Sequence, residues 1–241
     1  MDNLFGEFMG TMVLIVFGAG VCANMSLNKS KGQGGGWICI AVGWGFAVTL
    51  GVFTATTLGA PQGDLNPAVT LAKTMAGIYT FGQFVATSAA QMVGAIVGAA
   101  IVWLAYLPHW EETPDPATKL GVFATAPAIR SAGANFLCEM IATFFLMFVI
   151  WMIFSKPIGT LPPGSGPYLV GVLIWALGLS LGGPTGYAMN PARDLGPRIA
   201  HAILPIAGKG GSDWGYAWVP VVGPLVGALL AYAVASSCGV L

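Results

Sequence analysis

The residues with the clearest chemical potential are two asparagines, each followed by proline and alanine. Asn66-Pro67-Ala68 and Asn190-Pro191-Ala192 each close a Gly-rich stretch within an otherwise apolar sequence. Asparagine is a preferred helix N-cap and proline is favoured at the first helical position, so each tripeptide predicts a helix start. Such a start leaves unpaired N–H groups and the positive end of a helix dipole. Within a membrane these groups are tolerated only along a cavity or buried in protein, so the motifs predict a polar path.

The chemistry that two such asparagines could perform is the orientation of a passing molecule. Each side chain can present an NH₂ donor while its backbone begins a helix. Two donors with two positive helix ends behind them would turn solute or water oxygens inward. That orientation interrupts a continuous chain of hydrogen bonds and repels cations. We therefore expect protons and other cations to be excluded, whereas the alternative is a pair of ordinary caps in re-entrant loops.

The composition indicates the environment of these motifs. Of the 241 residues, 56% are hydrophobic and only 7% are charged, with a mean hydropathy of +0.79. Soluble domains carry about 25% charged residues, so the chain is predicted to be an integral membrane protein. Nine basic and nine acidic residues cancel, which does not favour a nucleic-acid partner or a polybasic lipid-binding surface. The first apolar run lacks a basic segment before it and is interpreted as a retained helix rather than a cleaved signal.

The elements that must position the asparagines are apolar helices. A spanning helix needs about 20 apolar residues. Stretches that meet or approach this length occur at about Leu4–Met25, Trp37–Leu58, Phe81–Leu107, Ala134–Phe154, Tyr168–Leu181 and Tyr216–Cys238. Two further segments, 67–78 and 191–203, are too short to span and follow Gly/Pro-rich turns. Short interrupted segments at corresponding places in two halves predict an inverted repeat with its site at the midplane.

A second similarity between the halves lies at the starts of the first and fourth predicted helices. Glu7-Phe-Met-Gly-Thr11 resembles Glu139-Met-Ile-Ala-Thr143. Because a unit of three helices is odd, its tandem copy must have the opposite topology. We therefore predict an all-α membrane protein with six transmembrane helices and two re-entrant half-helices in an inverted 3+3 repeat. The first repeat would span 1–107 and contain the half-helix 67–78, a solvated loop 108–132 would follow, and the second repeat 133–241 would contain the half-helix 191–203.

Two longer motifs connect the sequence with a known family. Gly-Asp-Leu-Asn66-Pro67-Ala68-Val-Thr and Gly-Tyr-Ala-Met-Asn190-Pro191-Ala192-Arg193-Asp194-Leu-Gly-Pro-Arg198 resemble the aquaporin superfamily, the major intrinsic proteins, and its glycerol-facilitator branch. The resemblance covers essentially the whole chain. It implies an aquaporin-like fold, a homotetramer with one pore per subunit, and no cofactor or metal.

The resemblance also implies a constriction formed by Arg193 with Trp44, Gly178 and Tyr187. Arg193 is a charge within a membrane segment, which is costly unless it faces a cavity, and its guanidinium offers five donors. An aromatic corner suits the C–H face of a polyol, and the family's glycine at the Gly178 position widens the opening. Trp44 or Tyr187 alone could equally face lipid or core, but together with Arg193 they favour a selectivity filter.

Further residues match the pattern of the glycerol branch without needing to touch the solute. These branch markers are Tyr106, Asp194, Arg198, Pro224 and Leu225. Asp194 and Arg198 could also form a helical i, i+4 ion pair, and that structural role is compatible with the branch assignment.

Glu7 and Glu139 are acidic residues within apolar helices, and an intramembrane carboxylate is a functional hypothesis by default. A proton relay is one interpretation. Their symmetry across the repeat favours another, which the resemblance implies: each accepts backbone N–H groups and holds a re-entrant loop with its carbonyls toward the pore.

Two positions depart from the glycerol pattern. Tyr187 stands where the pattern has Phe, and its hydroxyl would narrow the opening and add a polar contact. Asp64 stands where a His is usual, so permeation could depend on pH at this pore mouth, or the carboxylate could be a hydrogen-bond acceptor that stabilises the loop. His201 is interpreted as structural. The cysteines, read as small buried hydrophobes, are Cys22, Cys39, Cys138 and Cys238.

These observations predict a passive channel for small neutral solutes, chiefly glycerol and short polyols, with water, that excludes protons and ions. Water alone, dihydroxyacetone, urea or protonated lactic acid are alternative solutes. A coupled secondary transporter would need a midplane cluster of carboxylates or hydroxyls for its ion. An enzyme would need a nucleophile–base or metal constellation, and the sequence suggests none. The expected location is a cell membrane, with the bacterial inner membrane favoured.

Overall fold

The computed structural model of the protein describes residues 2–241. This part of the chain consists of helices joined by turns and loops. A short 3-10 helix covers Lys156–Ile158. The α-helices, in chain order, are α1 Asp2–Ser26, α2 Gly36–Thr57, α3 Pro67–Met75, α4 Phe81–Ala105, α5 Leu107–Glu112, α6 Pro116–Phe123, α7 Ala132–Ile153, α8 Ser165–Leu181, α9 Pro191–Ile203 and α10 Val219–Ser237.

Five of these helices are long and apolar enough to cross a membrane: α1, α2, α4, α7 and α10. The sixth predicted span is α8, which begins at Ser165, three residues before the predicted start, and contains 17 residues. At 1.5 Å per residue it is about 26 Å long, slightly less than the hydrocarbon thickness of a bilayer. It packs against α2 and α7, so it belongs to the bundle of long helices.

The two short helices α3 and α9 begin at the predicted motifs. Asn66 and Asn190 are the N-caps, both with extended backbone, and a proline occupies the first helical position of each. The Asn66 side-chain oxygen accepts from the backbone N–H of Ala68 at 2.9 Å, and that of Asn190 accepts from Ala192 at 2.9 Å. The cap chemistry visible in the sequence is therefore the cap that forms.

The end of α3 differs from the predicted boundary at 78. Gly77 adopts a φ of +80°, and its N–H donates to the carbonyl of Thr74 while the N–H of Ile78 donates to that of Lys73. This pair of bonds is a Schellman motif, which ends a helix at a glycine in the left-handed region. The helix consequently stops at Met75.

The packing of the helices has a two-fold pattern. α1 packs on α2 and α4, just as α7 packs on α8 and α10, and α2 contacts α8 between the halves. In addition, α4 of the first half covers α9, and α10 of the second half covers α3. Each half-helix is thus enclosed by a long helix of the opposite half, as an inverted repeat requires.

Small residues allow the long helices to approach closely. A Cβ added to Gly98 on α4 would lie 2.6 Å from the carbonyl oxygen of Met12 on α1. On the matching interface, a Cβ at Gly227 of α10 would collide with the carbonyl oxygen of Met140 on α7. Such small-residue contacts are how membrane helices gain packing energy without a hydrophobic driving force.

The segment that joins the halves is a folded part of the protein rather than the solvated linker that we predicted. It contains α5 and α6, and its side chains Trp110, Lys119 and Phe123 are buried. Helix α6 packs on both α1 and α9. Its N-cap is Asp115, whose carboxyl has a pKa below the ordinary value because the Thr118 hydroxyl and two backbone N–H groups donate to it.

The prediction that the cysteines are buried is wrong for two of them. Cys39 and Cys238 are exposed, Cys138 is half-buried, and Cys22 is buried. An apolar side chain on the outside of a membrane helix meets lipid rather than water, so burial within the protein is not required there.

Candidate functional site

Three cavities lie one after another through the helix bundle. The central cavity, of about 60 Å³, is lined by both Asn66 and Asn190. On one side lies a cavity of about 240 Å³ that Arg193 helps to line, here called the Arg193-side vestibule. On the other side lies a cavity of about 190 Å³ that Lys73 helps to line, here called the Lys73-side vestibule. Each vestibule shares several lining residues with the central cavity, so the three form one path.

The two asparagines at the central cavity each bind the loop that precedes the other. Asn66 Nδ2 donates to the carbonyl of Met189 at 2.8 Å, and Asn190 Nδ2 donates to the carbonyl of Leu65 at 2.8 Å. An amide nitrogen carries two N–H groups. One of them holds the opposite loop, and the second remains for the cavity that both residues line.

The loops before the asparagines have a strained backbone. Leu65 has a φ of +54° and Met189 a φ of +48°, which bulky residues rarely adopt. The N–H of Leu65 donates to Glu7 Oε2 at 2.8 Å, and the N–H of Met189 donates to Glu139 Oε2 at 2.9 Å. The preceding residue of each loop donates to the other oxygen of the same carboxylate. Charge-assisted bonds of this kind stabilise the unusual conformation, which favours the loop-scaffold interpretation of both glutamates over a proton relay.

The guanidinium of Arg193 lies over the ring of Trp44. The guanidinium carbon is 3.9 Å from the ring centroid, a cation–π contact, and both side chains are buried. Trp44 Nε1 donates to the sulfur of Cys22 at 3.4 Å, and Arg193 Nη1 donates to the carbonyl of Phe123 at 3.4 Å. Within residues 2–241 this bond engages one of the five N–H donors of the guanidinium, so the others remain available to a solute.

Tyr187 occupies the room that Gly178 leaves. A Cβ added at Gly178 would lie 2.7 Å from Tyr187 Cζ and 2.8 Å from its hydroxyl oxygen. The resemblance implies that the glycine at this position widens the opening. In the structure the tyrosine ring lies on α8 at this position, so the width of the opening depends on where that ring is held.

The Tyr187 hydroxyl is buried and has no hydrogen-bond partner among residues 2–241. The ring lines both the central cavity and the Arg193-side vestibule. A buried hydroxyl without a partner is costly, and a solute or water in the path can supply the partner.

Two sets of residues lie where the cavities meet. Trp44, Tyr187 and Arg193 line both the central cavity and the Arg193-side vestibule, so they form the ring between them. The ring toward the Lys73-side vestibule is mostly aliphatic and consists of Val48, Asp64, Val69, Ile150 and Val170. The path therefore has one polar, aromatic junction and one mostly aliphatic junction.

Asp64 is the polar member of the aliphatic ring, but its carboxylate is fully buried. Lys73 Nζ lies 2.5 Å from Oδ1, and the Thr70 hydroxyl donates to Oδ2 at 3.0 Å. The carboxylate thus joins the loop to α3, which favours its role as a loop-stabilising acceptor. A pH-dependent mouth at Asp64 stays a prediction.

Asp194 and Arg198 form a completely buried ion pair beside the path, with Nε 2.9 Å from Oδ1. The backbone N–H and the hydroxyl of Thr125 both donate to Asp194 Oδ2 at 2.7 Å, and Arg198 donates to the carbonyl of Ser212 at 2.8 Å. The pair joins α9 to the connecting segment. Sequence reasoning missed Thr125 and the carbonyl of Phe123, because a backbone contact about 70 residues away leaves no motif.

The remaining branch markers lie elsewhere. Tyr106 caps the end of α4 and its hydroxyl is 3.5 Å from the carbonyl of Gly20, Pro224 is buried within α10, and Leu225 packs on the core. None of these three is among the described residues that line the path.

His201 is buried and its Nδ1 is 2.9 Å from the Ser212 hydroxyl. Across residues 2–241 no group of three or more His, Cys, Asp or Glu side chains could hold a metal ion.

Comparison with known proteins agrees with this geometry. The model of the Major intrinsic protein family matches residues 1–234. Glycerol uptake facilitator protein 3 of Lactiplantibacillus plantarum is 53% identical over 95% of this chain and 93% of that protein. The probable glycerol uptake facilitator protein of Thermotoga maritima is 50% identical over 95% and 96%, and a D/L-lactic acid transporter of L. plantarum is 43% identical over 96% and 95%. The X-ray structure of the aquaglyceroporin from Plasmodium falciparum superposes with a TM-score of 0.85 at 30% identity, covering 97% of this chain and 94% of that one.

Proposed function

The chain belongs to the major intrinsic protein family, and on that premise we propose that it is a multi-pass membrane channel for glycerol, related short polyols and water. The observation that carries the proposal is the row of three joined cavities between the two half-helices. A continuous path of this kind suits passive movement down a gradient. Relatives named as glycerol uptake facilitators support glycerol as the main solute.

Selection among solutes takes place at the ring of Trp44, Tyr187 and Arg193. The guanidinium donates to the hydroxyl oxygens of the solute, and the aromatic faces contact its C–H groups. Arg193 also opposes the entry of cations by its charge. Gly178 acts indirectly, because its missing side chain allows the Tyr187 ring to lie against α8.

Protons are excluded at the central cavity. Asn66 and Asn190 each cap a half-helix whose positive end points at the cavity, and each has an N–H group to donate. Water between them accepts from both, so its own hydrogens point away and no continuous proton wire crosses the centre. Glu7 and Glu139 keep the two loops in the required conformation.

A coupled transporter fits the chain less well. The acids at membrane depth on the first and fourth spanning helices, Glu7 and Glu139, each accept from two backbone N–H groups. Both are thereby engaged in the loops, rather than arranged as a cluster around a coupling ion. The family is one of channels, so we expect no enzymatic activity.

We further propose a homotetramer with one pore per subunit in a bacterial cell membrane. The mass of the detergent-solubilised protein, measured by light scattering, tests the number of subunits.

Stopped-flow light scattering on proteoliposomes tests the main proposal. Hyperosmotic glycerol should cause shrinkage followed by fast reswelling, at a rate well above that of protein-free liposomes. The same vesicles should shrink rapidly in an impermeant osmolyte because water also passes. Reswelling no faster than in protein-free liposomes would refute glycerol as a solute, and fast water flow without glycerol entry would leave a water channel.

Protonated lactic acid is a second candidate solute. One relative is named a D/L-lactic acid transporter, and the Tyr187 hydroxyl adds a polar group to the otherwise apolar corner of the constriction. Lactic acid carries a carboxyl group and a hydroxyl on neighbouring carbons, so these two polar groups could contact Arg193 and Tyr187 at the same time. Uptake of labelled lactic acid should then rise as the pH falls and should decrease in Tyr187→Phe, whereas glycerol entry should persist.

A further inference from the structure

We propose that Trp37, together with Gly182, is a positioning residue that holds Tyr187 against α8 and thereby sets the largest solute that passes. The inference rests on the proposed channel function. It concerns a tryptophan outside the ring of Trp44, Tyr187 and Arg193, at the first turn of α2.

Trp37 joins two helices at the vestibule end of the constriction. Its Nε1 donates to the carbonyl of Gly178 at 2.8 Å, which links α2 to α8. The carbonyl it binds belongs to the residue on which the hydroxyl end of Tyr187 lies. Any movement of the indole therefore changes the surface that supports the tyrosine.

The indole also contacts the tyrosine ring directly. The centroids of Trp37 and Tyr187 are 5.7 Å apart at an interplanar angle of 72°, an edge-to-face arrangement. A Cβ added at Gly182 would lie 2.5 Å from Trp37 Cζ2 and 2.8 Å from Tyr187 Cδ1. Gly182 thus lies beneath both rings, and Gly178, Gly182 and Trp37 together form what we call the Tyr187 seat.

The ring of Tyr187 is buried in the apolar core, and its position depends on packing contacts such as those of the seat. Its φ of +40° follows a left-handed Gly186, so the backbone at this point is strained rather than regular. Its hydroxyl has no partner within residues 2–241 that would fix the side-chain rotation. The orientation of the ring is therefore determined by packing, and the seat supplies the contacts on the side of α8 and Trp37.

The seat is open on one side. Trp37 is 39% exposed and lines the Arg193-side vestibule. Removing the indole would leave a space that is continuous with the vestibule, and the Tyr187 ring could rotate into it. This rotation would move the hydroxyl away from Arg193 and widen the constriction toward linear polyols longer than glycerol.

The test is the permeability of proteoliposomes to erythritol relative to glycerol. Trp37→Ala should raise this ratio about tenfold, the scale expected for losing one hydrogen bond and one aromatic contact. Trp37→Phe, which keeps a ring but loses the N–H donor, should raise it about threefold and remains informative if the alanine variant folds poorly. Trp214→Ala is the matched control, because Trp214 lies in a loop and is 51% exposed.

A second background separates positioning from general loosening of the bundle. In Tyr187→Ala the ring is absent, so adding Trp37→Ala should leave the erythritol-to-glycerol ratio unchanged. An unchanged ratio in folded Trp37→Phe and Trp37→Ala, or an equal rise in Trp214→Ala, would overturn the inference. A further rise on the Tyr187→Ala background would overturn it as well. Failure of the wild-type protein to conduct glycerol would instead refute the proposed function.

Discussion

Gly178→Ala should reduce glycerol permeation although it adds only one methyl group. The new Cβ would lie 2.7 Å from Tyr187 Cζ, 2.8 Å from the hydroxyl oxygen and 3.1 Å from the Cβ of Ala41. Carbon atoms pack at about 3.5–4.0 Å, so the ring must move by about 1 Å. Because Gly182 and Trp37 contact the ring from behind and from the vestibule side, the movement is directed into the path.

The size of the effect follows from the cost of overpacking. An added methylene in a closely packed site costs about 1–3 kcal/mol, and each 1.4 kcal/mol corresponds to a tenfold change in rate. We expect the glycerol permeability to fall about tenfold or more, and the water permeability to fall by less than about threefold because water is smaller than the narrowed opening. The fold should survive, since alanine is favoured over glycine within a helix by about 1 kcal/mol.

Stopped-flow light scattering on proteoliposomes gives both permeabilities for the same protein sample. Gly183→Ala is the matched control, because a Cβ there meets nothing within 4 Å. Gly178→Ala combined with Tyr187→Leu should recover glycerol flow, since the clashing ring edge is removed. A glycerol-to-water ratio equal to that of the wild type in folded Gly178→Ala would refute the reasoning.

Three further changes test other parts of the site. Arg193→Val should admit larger polyols and increase cation leak, because the guanidinium forms one side of the constriction and supplies its charge; unchanged size cut-off and leak in vesicle assays would contradict this. Glu139→Gln should lower the free energy of unfolding by about 1–3 kcal/mol and reduce both water and glycerol flow, since an amide cannot accept from all the donors around it. Glu112→Gln, at an exposed side chain, should change neither the stability nor the flow. Lys73→Met should destabilise the protein by about 3–5 kcal/mol by leaving the buried Asp64 carboxylate unpaired, whereas the double variant Asp64→Asn with Lys73→Met should unfold at nearly the wild-type temperature.

Much of the fold could be predicted because a membrane restricts the possibilities so strongly. Apolar runs of spanning length and two Asn-Pro helix starts are local features, and they correspond to α1, α2, α4, α7, α8 and α10 and to α3 and α9. The sequence predicts the end of α3 three residues too late, because the predicted helix includes Gly77, which in the structure forms the C-terminal cap. The connecting segment was misinterpreted because its polar residues, among them the buried Lys119, suggested exposure to water.

The candidate site shows where sequence reasoning ends. The roles of Asn66, Asn190 and Arg193 could be predicted from the sequence. Helix-cap preference and the cost of a charge in a membrane are properties of single residues in their local sequence. The amide bonds from each asparagine to the opposite loop could not be read, because the donor and the acceptor are 123 and 125 residues apart. Likewise, the carbonyl of Phe123 reaches Arg193 only through the folding of a segment that has no motif.

The sequence by itself determined that the chain is a membrane protein, that two half-helices begin at matched asparagines, and that an arginine accompanies the second. Composition, the length of apolar runs and capping are local properties of the sequence, so they can be recognised without a structure. Only the tertiary structure decided that Gly178 serves as a support for Tyr187, that Trp37 covers that support, and that the Asp64 carboxylate is paired with Lys73. These are contacts between separate elements, and their geometry depends on how closely the helices approach and on where each side chain finds space.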